Sequence, residues 1–119
     1  MAPNSLASRV RGNIVVLDPP GRACLSSDDG LQPVVRTFSE QGYSRFLLDL
    51  QHVPYIDSTD LGGLARANLT IQQRGGQLKL VNVTKRVRDL LRITRLASAF
   101  DLYDSEEEAV SSFDAREPS

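Results

Sequence analysis

Strand signals and helix signals alternate along nearly the whole chain, and this alternation restricts the fold more than any other feature of the sequence. Asn13-Ile14-Val15-Val16-Leu17 is a short, β-branched apolar run closed by the turn residues Asp18-Pro19-Pro20-Gly21, the pattern of a buried strand. A weaker strand at Leu6 to Val10 is placed to pair with it through the turn at Arg11-Gly12. Arg45-Phe46-Leu47-Leu48-Asp49-Leu50, Gln77 to Asn82 and Phe100-Asp101-Leu102-Tyr103 read as further strands. Helices fill the gaps. Leu31, Val34, Val35 and Phe38 share one face of a helix from about Leu31 to Gln41, with Ser27, Asp28 and Asp29 offering caps and Gly42 stopping it. Leu61, Leu64, Ala65, Asn68, Leu69 and Gln72 mark a helix from Ser58 to Arg74, ended by Gly75-Gly76. Thr84 caps a third helix carrying Val87, Leu90, Leu91 and Ile93. Ser105 caps a fourth through about Phe113, with Glu106, Glu107 and Glu108 in the turn where the helix dipole favours acids. Strands joined by helices predict an α/β domain. Its sheet is mostly parallel, of four to five strands with about four helices and right-handed crossovers. Chemistry in such sheets gathers in loops at the strands' carboxyl ends.

A chain of 119 residues is about one domain. Residues 1–114 are expected to form it, with 115–119 as a frayed tail. A domain of this size buries a core without disulfides or metals, and with Cys24 as the one cysteine no internal bridge forms. A formal net charge of −1 exerts no general pull on nucleic acid or anionic lipid. No apolar run approaches the roughly 18 residues that span a bilayer. The expectation is a cytoplasmic protein that neither inserts into membranes nor binds nucleic acid.

The unusual residues follow the strand at Leu50. Tyr55-Ile56-Asp57-Ser58-Thr59-Asp60-Leu61-Gly62-Gly63 delivers a serine to the start of a helix. With Asp57 as N-cap, Ser58 is the first helical residue, and Asp60, the third, reaches back toward the cap. Free N–H groups and the helix dipole at that end tolerate an added phosphate. Ser58 points outward if Leu61 and Leu64 take the buried face. Gly62 and Gly63 each cost a helix about 1 kcal/mol relative to alanine, which implies close approach by a neighbouring element or a partner.

Other chemistries find little support. A serine hydrolase needs a base beside its nucleophile; His52, the one histidine, lies in the preceding loop, and Ser58 is not in a Gly-x-Ser-x-Gly elbow. One histidine and one cysteine assemble no zinc site, and no cofactor motif is present. Lys85, Arg88, Arg92 and Arg95 stripe the third helix without interleaved aromatics, the composition of a solvated face rather than a nucleic-acid surface. The chain reads as a non-enzyme.

Several segments together resemble a known family. Phe46-Leu47-Leu48-Asp49-Leu50, Val53, Ile56-Asp57-Ser58-Thr59 and Leu61-Gly62 are similar to the signature of the anti-sigma factor antagonists and related STAS domains. Gly75-Gly76-Gln77-Leu78-Lys79-Leu80-Val81 and the segments Val87 to Leu96 and Phe100 to Ala109 continue the likeness. The resemblance implies a partner-switching protein. Unphosphorylated, it would bind an anti-sigma factor, usually a serine kinase of ATPase fold, and so release a sigma factor. Phosphorylation of Ser58, with Thr59 as a weaker acceptor, would break that complex, and a serine phosphatase would restore it. Asp57, Thr59 and Asp60 would form the helix cap and switch loop, and Leu61, Gly62, Arg22 and Cys24 would contribute partner contacts.

Two departures from the family pattern favour an alternative. Asp60 stands where the family commonly has a small residue, often glycine, and Gly21-Arg22-Ala23-Cys24 replaces a usually acidic stretch. Both suit a constitutive scaffold in a stress-signalling assembly, or a transporter accessory subunit, that binds partners without phosphoregulation.

Overall fold

A computed structural model of the chain describes residues 6–21, 23–26, 30–95 and 100–115. Five strands, β1 (Ala7–Arg11), β2 (Ile14–Asp18), β3 (Arg45–Asp49), β4 (Gln77–Val81) and β5 (Asp101–Tyr103), lie in that order in one sheet. β1 is antiparallel to β2, and every later pair is parallel. Among the described residues five helices accompany them: α1 (Ala23–Ser26), α2 (Leu31–Glu40), α3 (Ser58–Gln73), α4 (Lys85–Ile93) and α5 (Glu106–Ala115). The predicted class, the weak first strand and its hairpin turn are all present, with Gly12 supplying a left-handed φ of 65°.

The two faces of the sheet are covered unequally. Val15, Leu17, Phe46, Leu48, Leu78 and Leu80 build the main core with residues of α1 to α4, as right-handed crossovers between neighbouring parallel strands require. Ile14, Val16, Leu47 and Val81 face the other way, where Ala109 and Phe113 of α5 cover them. Strands buried on both sides read as continuous apolar runs, which is why β2 and β3 are so plain in the sequence.

Local chemistry sets most helix ends. Thr84 Oγ1 accepts from the Val87 N–H at 3.3 Å, and Ser105 Oγ accepts from the Glu108 N–H at 3.2 Å. At the end of α3 the Gly75 N–H donates to the Gln72 carbonyl and the Gly76 N–H to the Ile71 carbonyl, at 3.0 and 2.9 Å. With Gly75 at φ 78° this is a Schellman cap.

Four expectations are corrected. α2 starts after Gly30 with no side-chain cap; the proposed caps Ser27, Asp28 and Asp29, like Arg22, lie outside the described residues, as do 116–119. The short helix α1 had no periodic signal. In α3 the buried residues are Asp60, Leu61, Gly63, Leu64, Ala67, Asn68 and Ile71, so Ala65, Leu69 and Gln72 face solvent. Ile93, counted with the apolar face of α4, is 78% exposed.

Candidate functional site

The loop carrying Ser58 is anchored before it reaches the helix. At the carboxyl ends of β3 and β4, Asp49 is buried and accepts from Asn82 Nδ2 through both oxygens at 3.2 Å, and from the Gln51 N–H at 3.0 Å. Asn82 adopts φ 55°, a left-handed conformation that asparagine tolerates better than most residues. The Val53 N–H closes a turn onto the Leu50 carbonyl at 3.0 Å. The side chains of Val53 and Ile56 then enter the main core. From the far side, Thr84 Oγ1 donates to the Pro54 carbonyl at 2.9 Å. One hydroxyl therefore caps α4 and holds the loop.

Asp57 and Asp60 form a reciprocal capping box. Asp57 Oδ1 accepts from the Asp60 N–H at 2.9 Å, and Asp60 Oδ2 accepts from the Asp57 N–H at 3.0 Å. Glutamate or glutamine commonly fills the third position of such a box; here the shorter aspartate does. Asp60 is also buried, 4% exposed, and Ser26 Oγ of α1 donates to its Oδ1 at 3.4 Å. Its carboxylate turns inward, toward the cap and α1, and is not displayed beside Ser58 as an imitation phosphate.

Ser58 and Thr59 are both exposed at the start of α3. The two glycines that follow differ sharply. A Cβ on Gly63 would lie 1.9 Å from the Leu25 carbonyl oxygen and 2.7 Å from its carbon. The backbone of α1 thus packs directly on α3 there. The Gly63 carbonyl also accepts from Gln32 Nε2 of α2 at 3.3 Å. A Cβ on Gly62 would meet no atom within 4 Å. Gly62 is exposed, on the same side of the helix as Ser58 one turn earlier, and Ala65 and Leu69 continue the exposed stripe.

Two residues expected to touch a partner are placed elsewhere. Leu61 is 8% exposed and Cys24 1%. Leu61 sits one helical step round from Gly62 and its side chain joins the main core, so neither offers a contact surface. His52 lies exposed in the turn after β3. Among the described residues no group of three or more potential metal ligands occurs, and no helix is long and apolar enough to cross a membrane.

A model of the STAS domain family matches residues 5–109. The chain is a STAS domain. A Thermotoga neapolitana protein provisionally named an anti-sigma factor antagonist is 34% identical over 79 residues, 66% of this chain and 70% of that protein. The crystal structure of a Thermotoga maritima protein, provisionally named in the same way, superposes with a TM-score of 0.75 at 24% identity, covering 90% of this chain and 92% of that one. A sulfate transporter family protein of Wolinella succinogenes superposes with a TM-score of 0.74 at 22% identity, covering 87% of each chain. The fold is thus shared by proteins of both kinds, and the STAS site must be read from its own residues.

Sequence reasoning missed three features around this STAS core. Lys79 is fully buried beneath α5, where Nζ donates to Ser112 Oγ at 2.7 Å and lies 4.6 Å from the Phe113 ring centroid. Arg9 and Arg11 of β1 both pair with Glu106 at the start of α5. Those hydrogen bonds, Arg9's foremost, hold the Glu106 carboxyl below the usual carboxylate range. Arg86 stacks over the Tyr55 ring at 4.9 Å, beside the switch loop. Each contact joins residues of different elements far apart in the chain, so no local pattern signals them.

Proposed function

We propose that this STAS domain is an anti-sigma factor antagonist, switched by phosphorylation of Ser58. Unmodified, it binds an anti-sigma factor of serine-kinase (ATPase) fold and so releases a sigma factor. The kinase modifies Ser58 and the complex dissociates; a serine phosphatase resets it. On this reading the chain catalyses nothing, and Ser58 is a substrate. The observation that carries the reading is an exposed serine at the first position of α3, held by the Asp57–Asp60 box and followed one turn later by Gly62, whose surroundings are open.

The electrostatics fit. A phosphoserine adds about −1.5 to −2 charge at neutral pH. Asp57 caps the same helix turn, so the added charge would oppose a partner surface chosen for the neutral hydroxyl. The helix N-terminus tolerates the phosphate within the domain itself, which suits a modification that alters binding without unfolding the chain. The buried Asp60 supports the same reading, because its carboxylate is committed to the cap rather than to a permanent negative charge at the surface.

The test is a pull-down from host lysate with Ser58→Ala and Ser58→Glu as baits and partners identified by mass spectrometry. An ATPase-fold anti-sigma factor should bind the alanine form and be lost with glutamate. Equal recovery of the same partners by both baits would eliminate the switch and leave a constitutive scaffold or accessory subunit.

A further inference from the structure

β1 is an outer strand of the sheet, and it lacks the devices that normally keep such an edge from pairing. β5, at the other edge, is three residues long, and shortness is itself a protection. β1 runs for five residues without proline or bulge, in unbroken register with β2. The two-residue turn at Gly12-Asn13 closes on Arg11 and Ile14. Hydrogen-bonded pairs alternate from there and take Arg11, Arg9 and Ala7. The backbone groups of Val10, Ser8 and Leu6 point outward, and among the described residues no element lies on that side to meet them.

Charge guards only one face of this edge. Arg9 and Arg11 point toward α5, where Glu106 and Glu107 neutralise them. Leu6, Ser8 and Val10 take the opposite face, the one that α2 covers, and none of them is charged. Leu6 packs against the main core, whereas Val10 is 46% exposed. Beside them, β1 and α2 leave an uncharged groove of about 410 Å³ lined by Ser8, Pro33, Val34, Thr37 and Phe38. An open backbone row next to an apolar groove is a surface to which a further strand adds.

We propose that this strand is a second copy's β1, so that two chains pair edge to edge and form one continuous sheet. A two-fold axis makes the two strands antiparallel and sets outward-facing residues opposite each other. An axis through Arg9 would place the two Arg9 side chains face to face, and like charges directly opposite are destabilising. Moving the axis to Ser8 removes that conflict. Arg9 then lies across from Ala7, Ser8 across from Ser8, and Val10 across from Leu6. Each of the outward-facing pairs exchanges two hydrogen bonds. A small uncharged side chain sits on the axis, with an apolar pair on either side of it. Opposed side chains share a face, so Leu6 and Val10 of each copy cover the groove side of the other. One short strand makes a contact small beside the standard interface of roughly 1,600 Å², so the dimer forms at high concentration and dissociates on dilution. None of the residues it uses belongs to the Ser58 loop, and it is independent of the switch reading.

Sedimentation equilibrium of the full-length chain reads the dimer directly: mostly monomer at about 5 μM and mostly dimer at about 1 mM, the range expected of an interface below standard size. Ser8→Pro removes an outward N–H and leaves the β1–β2 ladder intact, so it should raise the dissociation constant about tenfold or more without moving the urea midpoint. Val10→Lys, which places a charge on the unguarded face, should do the same. Cross-linking checks the register. Facing Ser8 residues would have Cα atoms about 5.5 Å apart, within disulfide reach, whereas the two Val10 residues would be roughly 14 Å apart. Under oxidised glutathione Ser8→Cys should therefore form a covalent dimer and Val10→Cys should not, with the parent, whose Cys24 is buried, as control. A chain still monomeric at about 1 mM would overturn the proposal and leave the edge to a strand of another protein. A dimer unaffected by both Ser8→Pro and Val10→Lys would overturn it too, as would Val10→Cys linking as readily as Ser8→Cys.

Discussion

Gly62 and Gly63 are chemically identical neighbours in one helix, and alanine at either should have opposite effects. By helix propensity each replacement is worth about 1 kcal/mol in favour of alanine, and part of that gain comes from a less flexible unfolded chain. At Gly62 nothing opposes it, since the new methyl meets no atom within 4 Å. Gly62→Ala should therefore stabilise the domain by about 0.5–1 kcal/mol. At Gly63 the methyl would sit 1.9 Å from a carbonyl oxygen and 2.7 Å from its carbon, both in the backbone of α1. A flexible side chain could turn aside; a backbone cannot. Either α1 moves off α3, disturbing Leu25 in the core and the Ser26–Asp60 contact, or α3 bends. Overpacking of this kind costs about 1–3 kcal/mol, at times more, so Gly63→Ala should be destabilising by about 2 kcal/mol net of propensity. Urea unfolding reads both. With a slope of about 2 kcal/mol per molar, the midpoint should rise by up to about 0.5 M for Gly62→Ala and fall by about 1 M for Gly63→Ala. Midpoints moving the same way by similar amounts would refute the asymmetric packing of α1 on α3. If Gly62 makes room for the anti-sigma partner, the more stable Gly62→Ala protein should also bind that partner less tightly.

Other perturbations separate the remaining interactions. Asp60→Ala removes half of the capping box and strands the Asp57 N–H, so it should cost about 1–2 kcal/mol in urea unfolding, whereas Thr59→Ala, at an exposed position, should change stability by less than about 0.5 kcal/mol. Glu106 is held in its ionised form by Arg9 and Arg11. Its folded pKa lies below the unfolded value of about 4.3, so its contribution is complete above that pH and is lost as pH falls through the lower, folded value. Glu106→Gln should flatten that part of the stability–pH curve, lowering neutral-pH stability by no more than about 1 kcal/mol, and the difference should shrink in high salt. Lys79→Met keeps the apolar stem and removes the buried charge, so it should stay within about 1.5 kcal/mol of the parent. Lys79→Ala leaves a cavity under α5 and should lose about 2–4 kcal/mol; equal losses for both would show that the ammonium itself is required.

The parts of this structure that are legible in the sequence are those decided within a few residues. Asp57-Ser58-Thr59-Asp60 encodes its own capping box because both hydrogen bonds close within one helical turn, and Thr84 and Ser105 announce α4 and α5 in the same way. Gly75-Gly76 encodes the Schellman end of α3. The parallel sheet follows once strands and helices alternate, since chain handedness leaves few other arrangements.

What the sequence hides depends on which element lies across from a residue. Leu78-Lys79-Leu80 alternates as a strand with one wet face would, and only the placement of α5 makes Lys79 a core residue. The same helix brings Glu106 to Arg9, 97 positions away in the chain. α1 has four residues, too few to show a period, yet its backbone decides which of two adjacent glycines is structural. Asp60 is the sharpest case. As a letter beside Ser58 it reads as a charge that competes with phosphorylation, and that inference counts against a switch. In three dimensions the same carboxylate closes the cap and meets Ser26. The departure from the family pattern is therefore absorbed inside the domain, and the surface around Ser58 is left with Asp57, Thr59 and the open flank of Gly62. Of the two departures that favoured a permanent scaffold, the one nearest Ser58 no longer does so.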